Sequence, residues 1–378
     1  MVDVFVRAGT VLMDRLGLTG AVQHIAREEA EHILGELGWK TGPAGLRPPW
    51  GKPGTAVCSG GGAANAAKIA ALLGVDAGFI GSIGDDRPGE LFRREIAASG
   101  AVPLLVPGRG KTGLCIILSS PGGETRIAAA PGAAGELSPE HIDEAAVKNA
   151  GTVLLDGRLL DRRPLIRRVL ELAGRFGVPA ALDAASAFLA GERAEEILHY
   201  SRNYPLIVFM NGDEAIAFYR RLRGAEGAAE IRDEGEKADL IIREVCPALQ
   251  SIAGTGQFPV FALKLGSRGA VIVAGGEVCR AAVSPVKARN SIGAGDAFGA
   301  AFLAGRLRGK SIAESAALGN RAARKILEVP GARIARRQLA SVRRSLWAPE
   351  TPAAFSPGPT TAPTGRLFPP PQGPKACR

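Results

Sequence analysis

Hydrophobic and polar positions change period along the chain, and the changes outline its elements. Val4 to Val6 form a short apolar run that predicts a strand, and a second apolar patch ends at Asp14. From Gln23 to Leu37 the residues Ile25, Ile33, Leu34 and Leu37 recur at helical spacing with acids toward the front, which predicts a helix. Gly38 to Thr55 is rich in Gly, Pro and Trp, has no period, and reads as a long loop or an insertion. Ala63 to Leu73 predicts a helix, Ala77 to Ile83 a buried strand and Glu90 to Ser99 a further helix. Gly113 to Ser119 and Thr125 to Ala130 read as strands turned back on each other by Pro121-Gly122-Gly123, a hairpin signal.

From residue 150 onward strands and helices alternate. Strands are expected at Thr152 to Asp156, Ala180 to Asp183, Ile207 to Asn211, Val260 to Lys264 and Val271 to Ala274. Helices are expected at Pro164 to Phe176, Glu214 to Leu222 and Ala297 to Leu307. This rhythm argues for a doubly wound, mostly parallel sheet covered by helices, while the early hairpins fit a separate small sheet. The end of the chain differs again. Nine of the 26 prolines lie between Ser345 and Arg378, and Ser356 to Thr364 has no apolar period. Such a stretch buries too little surface to offset ordering entropy, so a disordered Pro-rich tail is expected over 348–378.

Composition narrows the class. Of 378 residues, 46% are hydrophobic and 22% charged, which is ordinary for a globular protein. No apolar run approaches the roughly 18–20 residues of a membrane span, and the start has no basic and apolar leader. Five cysteines, Cys58, Cys115, Cys246, Cys279 and Cys377, are widely spaced with no CxxC pair, which suggests neither a zinc site nor a disulfide framework. A cytoplasmic setting is the expectation. The net charge of +10 comes from Lys and Arg spread along the chain rather than from a basic cluster with aromatics, so nucleic acid is not an expected partner. Glycine is in excess, 50 of 378, without a collagen period, so it must serve tight turns and close backbone approaches.

Two segments carry chemistry. In the first, Asn290-Ser291-Ile292-Gly293-Ala294-Gly295-Asp296-Ala297-Phe298, small residues form a tight loop just before an apolar helix. Backbone N–H groups at such a helix start bind anions. An acid at the same point would repel phosphate, so Asp296 suits a base that takes a proton from a hydroxyl attacking a phosphoryl group. From this segment alone, an N-capping Asp on an ordinary helix explains the pattern equally well. The spacing GxGxxxG and the late position do not suit a Rossmann loop, and Gly110-Lys111-Thr112 lacks the first glycine of a Walker loop because residue 105 is Leu. The second segment is Gly60-Gly61-Gly62-Ala63-Ala64-Asn65, followed by Gly74 and by Gly81-Ser82-Ile83-Gly84-Asp85-Asp86. Three glycines before a helix let a ligand touch backbone, and Asn65 offers a donor and an acceptor that suit a polyol; a tight loop with a surface Asn is the plain alternative.

Taken in order and at this separation, the two segments resemble both signatures of the PfkB, or ribokinase-like, carbohydrate kinases. Further segments resemble that family: Gly9 to Asp14, Lys111-Thr112-Gly113 with Gly123-Glu124-Thr125-Arg126, Asn211-Gly212-Asp213-Glu214, Leu265 to Gly269, and Gly319-Asn320-Arg321-Ala322-Ala323. The resemblance covers about residues 3 to 335, and the helix at Gln23 to Leu37 is similar to the adenosine-kinase-like branch. It implies a three-layer α/β/α sandwich with a mostly parallel sheet and a small β-lid. The kinase domain would span 1–347, with the lid drawn from parts of 10–60 and 108–132.

The implied reaction is ATP-dependent phosphorylation of a hydroxyl on a sugar or sugar-like acceptor; a nucleoside acceptor and a ligand-binding pseudokinase are the alternatives. By resemblance, Asp296 is the base, and the N–H groups of Gly293, Ala294 and Gly295 form the anion hole. Asp14, Gly61, Asn65 and Arg126 contact the acceptor, although Arg126 reads as well as a surface hairpin residue. Asn211, Lys264, Gly266, Gly269 and Asn320 hold the nucleotide. Asn211 and Glu214 organise Mg²⁺ through water; a strand-end Asn cap with a first-turn Glu is the structural alternative. The family's usual Asp is Asn290 here, which leaves a monovalent-cation requirement open. A homodimer through the lid is a further implication. The lid region has few aromatics, Trp39, Trp50 and Phe79, which favours a sugar over a nucleoside.

Overall fold

The structure, a computed structural model, describes residues 1–18, 22–40, 46, 55–120, 124–225, 227, 229, 231–254, 256, 258–284, 286, 288, 291–329 and 334–348. The Pro121-Gly122-Gly123 turn, Trp50, Asn290, most of the Gly38 to Thr55 segment and the tail beyond Ala348 lie outside the described residues. The described chain divides into two compact units. The first draws on Met1–Ile142, Lys287–Ala297 and Lys325–Arg336, and the second on Asp143–Val286, Phe298–Arg324 and the chain from Arg337.

In chain order the first unit contains β1 (Val2–Arg7), α1 (Thr10–Arg15), β2 (Val22–His24), α2 (Arg27–Glu36), β3 (Ala56–Ser59), α3 (Gly62–Leu73), β4 (Gly78–Ile83), α4 (Arg87–Ser99), β5 (Val102–Pro107), β6 (Thr112–Ser119) and β7 (Thr125–Gly132). Five strands form one sheet in the order β2-β7-β6-β1-β3, and β4 pairs with β5 in parallel. β6 and β7 pair antiparallel, as the hairpin signal predicts, whereas β1 and β6 run parallel. Val2, Val4 and Val6 stand opposite Leu114, Ile116 and Leu118, so period-two alternation puts six branched side chains on one buried face with Met13, Ile33 and Leu34.

Two departures from the periodicity have a clear physical cause. The helix expected from Gln23 starts only at Arg27, because residues 22–24 pair in parallel with β7 and this pairing overrides helical spacing. β5 is not evident in the sequence, since Pro103 and Pro107 punctuate it. They are tolerated because β5 has only β4 as a neighbour. The start of α4 is fastened more firmly than its sequence suggests. Asp86 accepts from Gly89 N at 2.9 Å, which caps the helix, and from Thr112 N at 3.0 Å and Thr112 Oγ1 at 2.5 Å. Gly84 belongs to this clamp: a Cβ there would fall 2.3 Å from the Gly110 carbonyl.

The second unit contains α5 (Glu144–Lys148), β8 (Val153–Asp156), α6 (Arg163–Phe176), β9 (Ala180–Asp183), α7 (Ala187–Glu192), α8 (Ala194–Asn203), β10 (Leu206–Asn211), α9 (Gly212–Arg223), α10 (Glu234–Leu240), α11 (Cys246–Ala253), β11 (Val260–Lys264), β12 (Ala270–Ala274), β13 (Glu277–Ala281), α12 (Ala294–Leu307), α13 (Ile312–Leu327) and α14 (Ala340–Trp347). Its sheet has the order β13-β12-β11-β10-β9-β8. β8 to β11 are parallel, and β12 and β13 are added antiparallel at one edge. Between α9 and β11, α10 and α11 are joined by a π-helical stretch, Ile241–Val245.

The first four residues of α12 belong to the first unit and the rest to the second. The second unit's part is anchored by aromatics. Phe209 of β10 meets Phe302 edge-on at 5.6 Å and Phe298 at 6.3 Å between ring centroids. α13 approaches closely at Gly319, where a Cβ would lie 2.7 Å from the Phe298 ring. Among the described residues no helix is long and apolar enough to cross a membrane. Phe302→Ala is expected to lower stability by about 3–5 kcal/mol, because a fully buried ring in a packed cluster leaves a cavity that its neighbours fill only in part. Denaturant melts monitored by circular dichroism check this, and a change below about 1 kcal/mol would show that the cluster does not anchor the helix.

Candidate active site

In the first unit the two signature segments meet. α3 is alanine-rich and begins after Gly61, whose φ of +99° lies outside the range an L side chain readily adopts. The chain therefore turns sharply and brings Asn65 into the interior, where it is 6% exposed. Asn65 Nδ2 donates to Asp296 Oδ2 at 2.9 Å. Asn65 Oδ1 is buried and has no hydrogen-bond partner among the described residues. Asp296 stands in the first turn of α12, and Gly293, at φ +82°, makes the turn that precedes it. A Cβ at Gly293 would come within 3.9 Å of Asp296 Oδ2 and 4.0 Å of Asn65 Nδ2, so the loop backbone faces both side chains. Ala294 N donates to the Ser291 carbonyl at a long 3.3 Å.

Asp14 is exposed and bonded to Arg126 Nη1 at 2.5 Å. Arg126 also donates through Nε to Glu124 at 2.8 Å and to the Leu18 carbonyl. The guanidinium thus ties α1 to β7, and its donors are engaged by this chain.

The second unit carries a separate cluster at the carboxyl ends of adjacent parallel strands, where α/β sheets place ligands. The register sets Lys264 at the end of β11 beside Asn211 at the end of β10, and Asp183 closes β9. Lys264 Nζ pairs with Asp183 Oδ2 at 2.8 Å. Asn211 and Glu214 form a reciprocal capping box at the start of α9: Glu214 N donates to Asn211 Oδ1 at 2.9 Å, and Asn211 N donates to Glu214 Oε2 at 2.7 Å. Asn211 Nδ2 adds a third bond, to Glu214 Oε1 at 2.8 Å. Glu214 is 3% exposed. Burial pushes its carboxyl up to about 7, against the pull of Lys264 and with the repulsion of Asp183.

Other expected nucleotide contacts have structural duties. Asn320 Nδ2 donates to the Ala281 carbonyl at 2.8 Å and more weakly to that of Ala282. Gly269 lies against the same Ala281 carbonyl, 2.1 Å from where a Cβ would be. Gly266, at φ +54°, faces open space. The sequence reading missed Asp183; its signal is an acid at the carboxyl end of a buried parallel strand.

The pfkB family of carbohydrate kinases matches residues 52–338. The chain belongs to that family. Over 117 residues it is 37% identical to an ATP-dependent ribose-1-phosphate kinase of Halopiger xanaduensis, a match covering 30% of this chain and 40% of that protein's length. It is 26% identical to a 5-dehydro-2-deoxygluconokinase of Listeria monocytogenes, over 70% of this chain and 79% of the relative. Among solved structures, the adenosine kinase of Sinorhizobium meliloti superposes with a TM-score of 0.75 at 26% identity, covering 91% of this chain and 96% of that one. The fold is therefore the ribokinase-like α/β fold, and the protein is a sugar or nucleoside kinase of the PfkB family.

In this PfkB-family kinase the raised Glu214 carboxyl sets a stability signature. Between pH 4.5 and about 7 the folded chain holds a proton on Glu214 that the unfolded chain has lost, so this group's effect destabilises progressively as pH rises through that window. Glu214→Gln removes the titration while keeping an acceptor for Asn211 N, apart from a pH-independent offset for the lost Asn211 amide contact. The variant should gain on the parent as pH rises, by roughly 3 kcal/mol between pH 4.5 and pH 8 in urea melts. A difference that stays constant over that range would contradict the buried, protonated Glu214.

Proposed function

We propose that the protein transfers the γ-phosphoryl group of ATP to a hydroxyl of a sugar or sugar-like acceptor, with Asp296 as the general base. The observation that carries this reading is the Asn65–Asp296 pair. A carboxylate at the start of a helix is held by an amide whose own buried oxygen has no partner among the described residues. A sugar offers what the pair lacks. One hydroxyl hydrogen satisfies Asn65 Oδ1, and another lies on the oxygen that Asp296 deprotonates as it attacks phosphorus. Proton and phosphoryl transfers balance: the hydroxyl loses H⁺ to Asp296, the new O–P bond forms, the bond to the ADP oxygen breaks, and ADP leaves.

The glycine loop at 293–295 supplies backbone N–H groups for the developing charge, with Gly293 and Gly295 better disposed than Ala294, whose N–H already reaches Ser291. Asp14, held by Arg126, presents a carboxylate to acceptor hydroxyls, and Gly61 lets the acceptor approach backbone. Arg126 then acts through Asp14 rather than on the acceptor.

In the second unit, Lys264 and the open turn at Gly266 are the nucleotide contacts this reading retains. Asn320 and Gly269 shape the β13 end behind them. The donors around Glu214 are hard oxygens, the set Mg²⁺ prefers. Among the described residues no group of three or more His, Cys, Asp or Glu could hold a metal, so water and phosphate would complete the shell. When bound, Mg²⁺ neutralises phosphate charge. Glu214 and Asp183 would orient its waters, and Asn211 would hold Glu214 in place.

A sugar is favoured over a nucleoside because the described aromatics near β4 and α2 are committed to the core. Trp39 is 3% exposed, and Phe79 packs on Phe92 at 5.4 Å. The test is ADP release with a panel of sugars and nucleosides in the presence of Mg²⁺. Turnover with a nucleoside and with no sugar would overturn the acceptor assignment. Asp296→Asn keeps the shape and the Asn65 contact. It should leave ATP binding intact and lower kcat by about 10²–10⁴-fold. Turnover near the parent value would remove Asp296 from this role.

A further inference from the structure

One charged group in the first unit has no part in the reaction just described. Lys68 lies one turn beyond Asn65 on α3, so the two share a helix face. Its Nζ donates to the Ser59 carbonyl at 2.8 Å and to Ser59 Oγ at 2.9 Å. Ser59 is fully buried at the end of β3, and its own N–H donates to Glu95 Oε2 at 2.6 Å. The residue after it, Gly60, lies so close to the buried Asp3 carboxylate that a Cβ would fall 1.8 Å from Asp3 Cγ. The segment that leads into the Gly60–Gly62 turn, and so sets where Asn65 stands, is thus held between an ammonium and two carboxylates.

The titratable groups whose fields reach Lys68 come from four elements, Cys58 on β3, Glu95 on α4, Asp3 on β1 and, most weakly, Asp296 on α12. Burial pulls the ammonium down from its ordinary value, and these neighbours pull it back. A lysine is a poor choice for a purely mechanical staple here, because a neutral donor would bond Ser59 without the cost of burying a charge. The charge has an evident use. Asp296 must be ionised to accept a proton, yet its partner Asn65 is neutral.

We infer that Lys68 is a positioning residue for phosphoryl transfer: its ammonium fixes the β3 end that carries the glycine turn and Asn65, and it keeps Asp296 anionic without bonding to it. This rests on the reading of Asp296 as the base. Direct pairing of a lysine with Asp296 would compete for the lone pair that takes the proton, whereas an ammonium held on Ser59 stabilises the anion without itself occupying that lone pair.

The test uses the full-length enzyme and follows the pH profile of kcat/KM for whichever acceptor the panel identifies. Four variants are needed: Lys68→Met, Lys68→Gln, Lys68→Arg and Asp296→Asn. The parent should lose activity toward low pH as Asp296 protonates. Lys68→Met should move that limb up by about one pH unit, a tenfold loss of kcat/KM on the acid side, with KM for ATP unchanged. Lys68→Gln keeps a donor for Ser59 and removes the charge, so it should shift the limb as much, and it keeps the test alive if the Met variant does not fold. Lys68→Arg should restore the limb to within about 0.3 units. A purely structural Lys68 would lower Tm and scale activity down at every pH without moving the limb. An unmoved limb in the folded neutral variants, with turnover abolished by Asp296→Asn, would overturn the role of Lys68 alone. Near-parent turnover in Asp296→Asn would overturn the base assignment and this inference with it.

Discussion

A base at the mouth of a helix, the role we propose for Asp296, faces opposed requirements. It must be aimed, yet anything that aims it by strong pairing also neutralises it. The hydrogen bond from Asn65 to Asp296, joining residues 231 positions apart, resolves this with a neutral donor. An amide N–H fixes one carboxylate oxygen in direction without neutralising the carboxylate. Much of the first unit serves this bond. The turn at Gly61 sets the start of α3, the β1–β6 pairing buries the face beneath it, and Gly293 bends the chain so that Asp296 meets Asn65. Removing any of these leaves the residues present but misdirected.

From Phe298 onward α12 belongs to the second unit and is anchored there by aromatic rings. Phe298 and Phe302, four residues apart, both bear on Phe209, and Gly319 admits α13 against the Phe298 ring. Small residues dominate between the rings, Gly299, Ala300 and Ala301, so the helix can lie close to its neighbours. The small residues that follow the tight loop in the sequence let the predicted helix pack closely.

The strands β8 to β12 and the helices α3, α4, α6, α9 and α12 were legible because period and punctuation agree, and β9 and β11 coincide with the apolar runs that predict them, whereas α7, α8, α10 and α11 were not read from the sequence. β5 was obscured by its prolines, and residues 22–24 by a partner 105 positions away that no local pattern reports. The two signature segments were legible as chemistry, but their glycines were only partly so. Gly60 and Gly84 belong to close backbone contacts, with Asp3 and with the Gly110 carbonyl. Asp86 reads like part of a ligand loop and instead clamps Thr112. Lys68 and Asp183 were missed for a shared reason. A single polar residue in an alanine-rich helix or at a strand end has no motif, and its meaning comes from neighbours distant in sequence.

The second cluster shows the same economy of charge by another route. Asp183 and Lys264 cancel one another, so Glu214 has no cation to itself, and burial keeps it protonated into the neutral range. Its capping bonds to Asn211 do not require ionisation, because an uncharged carboxyl can still accept from the Asn211 N–H. Glu214 can therefore be a structural cap in the free protein and acquire its charge only when a positive charge beside it outweighs desolvation. The capping and metal-orienting readings of Asn211 and Glu214 then cease to compete. The capping box fixes the side chain in place, and the raised carboxyl makes its ionisation depend on what binds next to it.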